Sequence, residues 1–569
     1  MNKKISILLP LKLQRSCLLL LFIVFLGACT GTAKTTSGTK ETQQQQAATL
    51  ARPKLVVGIV VDQMRYDFLY RYWDKYGAGG FKKLVSQGFN FKYAQYSYVP
   101  TYTGPGHASI YTGSVPALNG IIGNFWYDRE TGKSVYCVED KTVKTVGSNS
   151  DAGLMSPRNL YTTTITDELR LATNMGAKVI GISMKDRGSI LPAGHMGNGA
   201  YWFDSPSGNW ITSTFYRNEL PQWVQEFNSK KYPDQYLGQV WNTLLPLDQY
   251  TESSADNVPW ENTLPGEKQP VFPHDIPAIR KKDYELLRLL PGGNTLTADF
   301  AIAALQNEKL GKGNYTDFLA VSFSTTDYVG HSFGPNSVEI QDIYLRLDRE
   351  LEKLLTQLEK KLGKENVLVF LTADHGAVQV PAFLRDNRVP AGVSLAAVIR
   401  DSTEQYLDKT YGAGKWVEQY TNQQLYLNRK LIESKKLNRL EVQEKVAGYV
   451  TRFEAVARAM SAESIQRSGW TEGMVVRMVN GYNATRSGDV LVVLQPGWYE
   501  GGRNPKGTTH GSYSNYDTHV PLLWYGWNVK PGESSAAVEV ADIAPTIASW
   551  LYIQEPNGTV GKPLQELMK

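Results

Sequence analysis

Cysteine is scarce in this chain of 569 residues, with only Cys17, Cys29 and Cys137. That excludes a disulfide-stapled scaffold. Neither sign of charge is in excess: 60 basic against 55 acidic residues give a net charge of +5. Lys3, Lys4, Lys12 and Arg15 lie in an N-terminal stretch of 28 residues without an acid, and the rest of the chain carries only +1. So balanced a body has no electrostatic footprint for nucleic acid, and nucleic acid is not expected as a structural partner. Internal repeats and collagen-like or low-complexity composition are absent from the body.

The basic start is followed by the apolar run Leu18 to Leu26 and then by small residues. This is the pattern of an export signal over residues 1–28, and the run is short for a spanning helix. Leu26-Gly27-Ala28-Cys29 resembles a bacterial lipobox, with Cys29 as the lipidated first residue of the mature chain. Ordinary cleavage nearby is the alternative. Residues 29–52, rich in Thr, Gln and Ala, predict a flexible tether. Cys137 is then the only thiol of the mature protein, which therefore has no internal disulfide.

Residues 53–569 predict one enlarged domain. Short apolar runs end abruptly in polar residues: Leu55 to Val61 stops at Asp62, Phe318 to Val321 leads to Asp327, and Val367 to Leu371 leads to Asp374. Val179 to Ile182 leads to Lys185 and Arg187, and Val520 to Trp524 resembles a further strand. Runs apolar on both faces suit central strands covered by helices. Helical patterns lie between them, at Thr163 to Met175 and in the leucine stripe from Leu347 to Leu362 that stops at Gly363. The expected fold is α/β, a mostly parallel central sheet with helices on both faces. Ligands gather beyond the carboxyl ends of such strands, where these polar residues fall. Two stretches break the alternation, about 190–290 and 385–500, and are expected to be insertions capping the active edge. The first holds Trp202, Trp210, Trp223, Trp241 and Trp260, read as packing residues ahead of a carbohydrate-binding surface.

Histidine is also scarce, seven in all. Asp374-His375 follows a buried strand. Asp327 and His331 are four apart, within reach of one metal ion if that segment is helical. Asp62 ends the first strand, and His510 sits in a Gly-rich loop. Three aspartates and three histidines make an oxygen-and-nitrogen donor set suited to zinc, with manganese or iron left open by the ligands alone.

With these motifs the chain resembles the alkaline phosphatase superfamily, and within it the phosphate-irrepressible bacterial alkaline phosphatases of the PafA type, which have a threonine nucleophile. The likeness runs in order from about residue 53 to the C-terminus, through Asp517-Thr518-His519-Val520-Pro521-Leu522 and Asp542-Ile543-Ala544-Pro545-Thr546. It implies two Zn2+ per chain. Asp327, His331 and His510 would hold one, and Asp62, Asp374, His375 and the nucleophile the other.

Pro100 to Ser109 looks like a loop entering a helix that runs to about Thr112, with Pro105 tolerable in its first turn. A hydroxyl at that N-terminus meets unpaired N–H groups, a favourable place for a phosphoryl group. The family places its nucleophile two residues before that proline, which implies Thr103, with Thr101 as the alternative. Asn124 matches the family asparagine that donates to a phosphoryl oxygen. Lys185 and Arg187 match its paired cations, and alternation in an extended segment would put both on one side. Two such cations suit a doubly charged phosphate monoester.

The expected protein is an exported, periplasmic or outer-membrane-anchored zinc phosphomonoesterase. It would be a monomer that acts on small phosphate monoesters through a phospho-threonine. A phosphodiesterase or nucleotide pyrophosphatase of the same superfamily is the enzymatic alternative, and a glycan-binding metal-stabilised lipoprotein the non-enzymatic one. Cys137 does not stand in a sulfatase motif, and Thr103 with the Lys/Arg pair argues against the serine branch and its third, magnesium site.

Overall fold

The computed structural model describes residues 52–503 and 506–568. The signal, the lipobox with Cys29 and nearly all of the tether lie outside the described residues.

The centre is a ten-stranded sheet. From one edge its order is Gly532–Glu539, Phe89–Gln95, His519–Gly526, Val367–Thr372, Leu55–Val61, Asp317–Phe323, Val179–Ser183, Gly199–Asp204, Asn209–Ser213 and Thr145–Val146. Leu55–Val61 lies at the middle and pairs in parallel with Val367–Thr372 and Asp317–Phe323. All seven of its residues are buried, as are those of Asp317–Phe323, because helices cover both faces. Parallel pairing continues through Val179–Ser183 to Gly199–Asp204. His519–Gly526 runs antiparallel to both neighbours, so the apolar run at Val520 to Trp524 does not mark another parallel strand.

The helix Val338–Leu362 shows how local sequence sets an element. Ser337 caps it by accepting from Ile340 N at 3.1 Å. Leu347, Leu351, Leu354, Leu355 and Leu358 face the core, and the helix ends at Gly363 with φ +87°. Ile165–Ala172 is shorter than the pattern from Thr163 to Met175 suggests. A reciprocal Thr164–Asp167 capping box starts it, and Asn174 and Met175 turn left-handed after it.

The region 190–290 is only partly a cap. Gly199–Asp204 and Asn209–Ser213 extend the central sheet, which single-strand patterns could not distinguish from an inserted hairpin. Trp202, Trp210 and Trp241 are buried, and Trp210 stacks on Phe300 at 4.4 Å, so these indoles pack rather than face solvent. Residues 385–500 build a separate four-stranded sheet, ordered Val417–Thr421, Gln424–Leu427, Val490–Leu494 and Val456–Ser461. It has its own core around Trp416, Leu425, Val446 and Val490. Among the described residues no helix is long and apolar enough to cross a membrane.

Candidate metal centre

The carboxyl ends of the parallel strands deliver the polar residues to one place. Asp62 directly follows Val61, Asp374 follows the strand ending at Thr372, and Lys185 follows the one ending at Ser183. Asp327 and His331 lie on the helix Thr325–Phe333, with His331 Nε2 3.1 Å from Asp327 Oδ1. The helical turn needed for two ligands four residues apart is therefore present.

Two donor groups form. Ligand atoms of Asp327, His331 and His510 lie within 4.8 Å of one another, as do those of Asp62, Asp327 and His375. Asp327 thus faces both. Asp374 borders the second group, its Oδ2 3.6 Å from His375 Nε2.

The three histidines share one device. Nδ1 of His331 donates to Thr508 O at 2.8 Å, that of His375 to Gly376 O at 2.9 Å and that of His510 to Thr101 O at 2.7 Å. A carbonyl only accepts, so each Nδ1 carries the proton and each Nε2 turns a lone pair into the site, as metal-ligating imidazoles require. Burial and the neighbouring imidazoles His375 and His331 hold His510 well below its ordinary pKa, and burial lowers His375. Asp62 Oδ1 is buried without a hydrogen-bond partner, and Asp374 Oδ2, also buried, has only His107 Nδ1 nearby at 3.3 Å. Orphaned carboxylate oxygens beside imidazole lone pairs are costly unless a cation satisfies them, so these residues fit divalent metal ions.

Burial and the nearby Asp374 raise the Asp62 carboxyl. Burial also works against ionised Asp327, but His331 and Lys185 hold it well below the carboxylate range. Lys185 Nζ donates to Asp62 Oδ2 at 2.7 Å and to Asp327 Oδ2, and the lysine is 3% exposed. Burial opposes its charge, yet Asp327 and Asp62 raise its pKa.

Thr103 opens the helix Thr103–Thr112, and every residue of that helix is buried. Its Oγ1 is 3.5 Å from His375 Nε2. Thr101 is turned away, donating its hydroxyl to Ser512 O at 3.1 Å. The helix approaches the site closely because residue 106 is glycine: a Cβ there would meet Asp374 O at 2.4 Å. Asn124 Oδ1 accepts from Gly104 N at 2.8 Å, tying it to the first turn of this helix, and its Nδ2 has no partner among the described residues.

Lys185 and Arg187 do not sit in an extended segment. Lys185 is the extended N-cap of the helix Asp186–Ala193 and Arg187 lies in that helix's first turn, so the two cations are not alternate positions of one strand. The strand ends at Ser183 and the helix follows at once, which reverses the alternation argument. Arg187 Nη1 donates to Tyr136 OH at 2.9 Å, while Lys185 points between the carboxylates.

Four histidines stay outside the two donor groups, though His107 Nδ1 lies 3.3 Å from Asp374 Oδ2. His107 spans Thr103 O and Ser322 Oγ, His195 pairs with Asp167, His274 with Glu267, and His519 stacks on Tyr66 at 4.1 Å. Gln63 escaped sequence reasoning. Its backbone N donates to Asp374 Oδ1 at 3.1 Å and its Nε2 to Asp327 Oδ1 at 2.7 Å. Its φ of +63° is strained for a residue with a side chain, and the only cue in sequence is its place after Asp62.

Residues 56–519 match the model of the type I phosphodiesterase / nucleotide pyrophosphatase family. The chain belongs to this family. Several of its relatives carry the name alkaline phosphatase, and one at 47% identity is named a calcium-transporting ATPase. Alkaline phosphatase PhoV of Synechococcus elongatus is 48% identical over 521 residues, 92% of this chain and 94% of the relative. Alkaline phosphatase PafA of Elizabethkingia meningoseptica is 48% identical over 529 residues, 92% of this chain and 96% of the relative. The crystal structure of wild-type PafA superposes with a TM-score of 0.88 at 48% identity, covering 91% of this chain and all of that one. The family thus lies within the alkaline phosphatase superfamily, as the motifs imply.

Proposed function

We propose that this protein is a zinc-dependent phosphomonoesterase that releases inorganic phosphate through a covalent phospho-threonine. The observation that carries it is Thr103, whose buried hydroxyl faces His375 at 3.5 Å at the N-terminus of a helix. Asp327, His331 and His510 would hold one zinc ion, and Asp62, Asp374, His375 and Thr103 the other. Bound there, the ions supply Lewis acidity, lowering the pKa of hydroxyl and water and neutralising the leaving oxygen.

The chain's own residues bind and orient. Asn124, anchored through its Oδ1, has its amide group to donate to a phosphoryl oxygen. Lys185 and Arg187 add positive charge where the substrate brings two negative charges. The Thr103 oxygen attacks phosphorus as its hydroxyl proton passes to water, the ester P–O bond breaks, and the leaving alkoxide takes a proton back from water. Water then attacks the phospho-threonine, whose P–O bond breaks to return Thr103 and release phosphate.

The monoester reading is supported by the two cations and by the names of the relatives at 48% identity. A solved PafA variant carries substitutions at one threonine, one asparagine, one lysine and one arginine, the four residue types assigned here. The family description keeps a second reading alive, a phosphodiesterase or nucleotide pyrophosphatase. Turnover of p-nitrophenyl phosphate against bis-p-nitrophenyl phosphate, with chelator and with zinc restored, decides between them. The monoester should be cleaved faster, chelation should abolish turnover and zinc should restore it; faster diester cleavage would reverse the assignment.

The apolar run and Leu26-Gly27-Ala28-Cys29 support export and lipid anchoring, with a monomer working on small phosphate monoesters outside the inner membrane. Loss of lipid labelling in Cys29→Ala checks the anchor.

A further inference from the structure

The insertion at 385–500 reaches the loops of Asn124 and His510 through a two-residue turn. Val417–Thr421 and Gln424–Leu427 form a hairpin in which Thr421 faces Gln424, so Asn422 and Gln423 alone make the connection. Their φ values are +51° and +59°, as a type I′ turn demands. Gln423 is unusual there, because glycine is the favoured second residue and a side chain at positive φ is strained. Strain that persists at such a position is a pointer to function.

Both side chains reach out of the insertion. Asn422 Nδ2 donates to Phe125 O, the carbonyl immediately after Asn124. The residue before Asn124 is Gly123, and a Cβ on it would lie 2.4 Å from Asn422 Nδ2, so glycine is what lets the turn come this close. Gln423, 4% exposed, donates Nε2 to Gly511 O at 3.0 Å, the carbonyl immediately after His510. One turn therefore grips the loop of Asn124 with one amide and the loop of His510 with the other.

The turn itself is held firmly. Val492 N donates to Gln423 O at 2.8 Å from the neighbouring strand. Behind it, buried Asp489 accepts from Leu427 N and Gln443 Nε2, each at 2.9 Å, and from Arg429 Nε at 2.8 Å. Arg129, on the hairpin that follows Asn124, donates to the same carboxylate at 2.9 Å. The arm that carries Asn124 is thus docked on the insertion at several points, with Arg129 also donating to Ser487 O at 2.8 Å and Arg486 to Gly120 O at 2.6 Å.

We propose that Asn422 and Gln423 are positioning residues that hold the phosphoryl-binding Asn124 and the metal ligand His510 in register across Thr103. The insertion then serves the reaction from beyond the site. The proposal rests on the phosphoryl role assigned to Asn124 above.

Asn422→Gly keeps the backbone conformation and deletes the tether. In the zinc-loaded enzyme it should lower kcat/KM for p-nitrophenyl phosphate and weaken inhibition by inorganic phosphate by about tenfold, with the unfolding midpoint unchanged. In an Asn124→Ala background it should cost less than about twofold, because coupled groups do not add. Gln423→Gly relieves the strain and should speed metal loss to a chelator by about tenfold. Equal losses from Asn422→Gly in both backgrounds, no loss in either, or unaltered metal release from Gln423→Gly would overturn the proposal. Asn124→Ala without effect on its own would instead refute the role of Asn124, while the metal-release comparison still reads the Gln423 tether.

Discussion

Lys185→Met isolates the charge balance of the site. The ammonium donates to one oxygen of Asp62 and one of Asp327, and all three side chains are at most 4% exposed. Removing one partner of a buried ion pair costs about 3–5 kcal/mol, because the other charge is left uncompensated. Here one cation serves two carboxylates that also fit metal ions, so the cost should depend on metal. Chelator-treated Lys185→Met should lose about 3–5 kcal/mol in urea unfolding, whereas the zinc-replete variant should lose about 1 kcal/mol or less, since bound ions take over the compensation. The ammonium already neutralises carboxylates that a metal ion would share, so the variant should bind zinc about tenfold tighter or more, even as its monoesterase activity falls. Titration calorimetry on stripped protein and urea curves with and without zinc read both effects. Weaker zinc binding, or equal destabilisation with and without metal, would refute the reasoning, because Lys185 would then support the metal and not compete with it.

Thr103→Ala should abolish acid-stable labelling by radioactive phosphate, while Thr101→Ala, whose hydroxyl is turned to Ser512 O, should keep it; labelled Thr103→Ala would exclude the phospho-threonine. Arg187→Ala should cost monoester turnover at least about tenfold more than diester turnover, since its charge is expected to matter for a dianion; equal losses would remove it from substrate binding. Burial and the charges of Glu339 and Asp256 push the Glu261 carboxyl up to about 10. A raised folded pKa means stability present below the unfolded value of 4.5 and lost as pH rises through about 10. Glu261→Gln should therefore raise the unfolding midpoint at pH 8 to 10 and flatten its fall with pH, measured by thermal melts of the zinc-loaded protein; an unchanged slope would show that Glu261 titrates normally.

What could be read from the sequence was what local pattern determines. Leu55–Val61 and Val367–Thr372 stand where their apolar runs place them, the leucine stripe ends at Gly363, and the Thr103 helix runs to Thr112. The aspartates and histidines fall at strand ends because a parallel sheet collects its polar residues there. The misses depend on partners far away in the chain. His519–Gly526 is as apolar as the parallel strands of the same sheet, and only its pairing with Val367–Thr372 and Phe89–Gln95 sets it antiparallel. Gly199–Asp204 joins the sheet through Val179–Ser183, a contact that local composition does not encode.

Lys185 is the sharper case. The strand before it was legible, so its arrival at the carboxyl edge was too, but periodicity could not say that a helix begins at Asp186. Nor could it say that the nearest countercharges are Asp62 and Asp327, 123 and 142 residues away. In a buried site charge neutrality is settled among whichever groups converge there, and sequence spacing does not enter that balance. In this structure the lysine's charge is shared with both donor groups, while Arg187 is engaged separately by Tyr136. Beyond the charge both offer the substrate, only Lys185 touches the donor groups, so their single substitutions should differ in zinc affinity, with Lys185→Met tightening it and Arg187→Ala leaving it unchanged. Matching shifts in zinc affinity from the two variants would refute this difference.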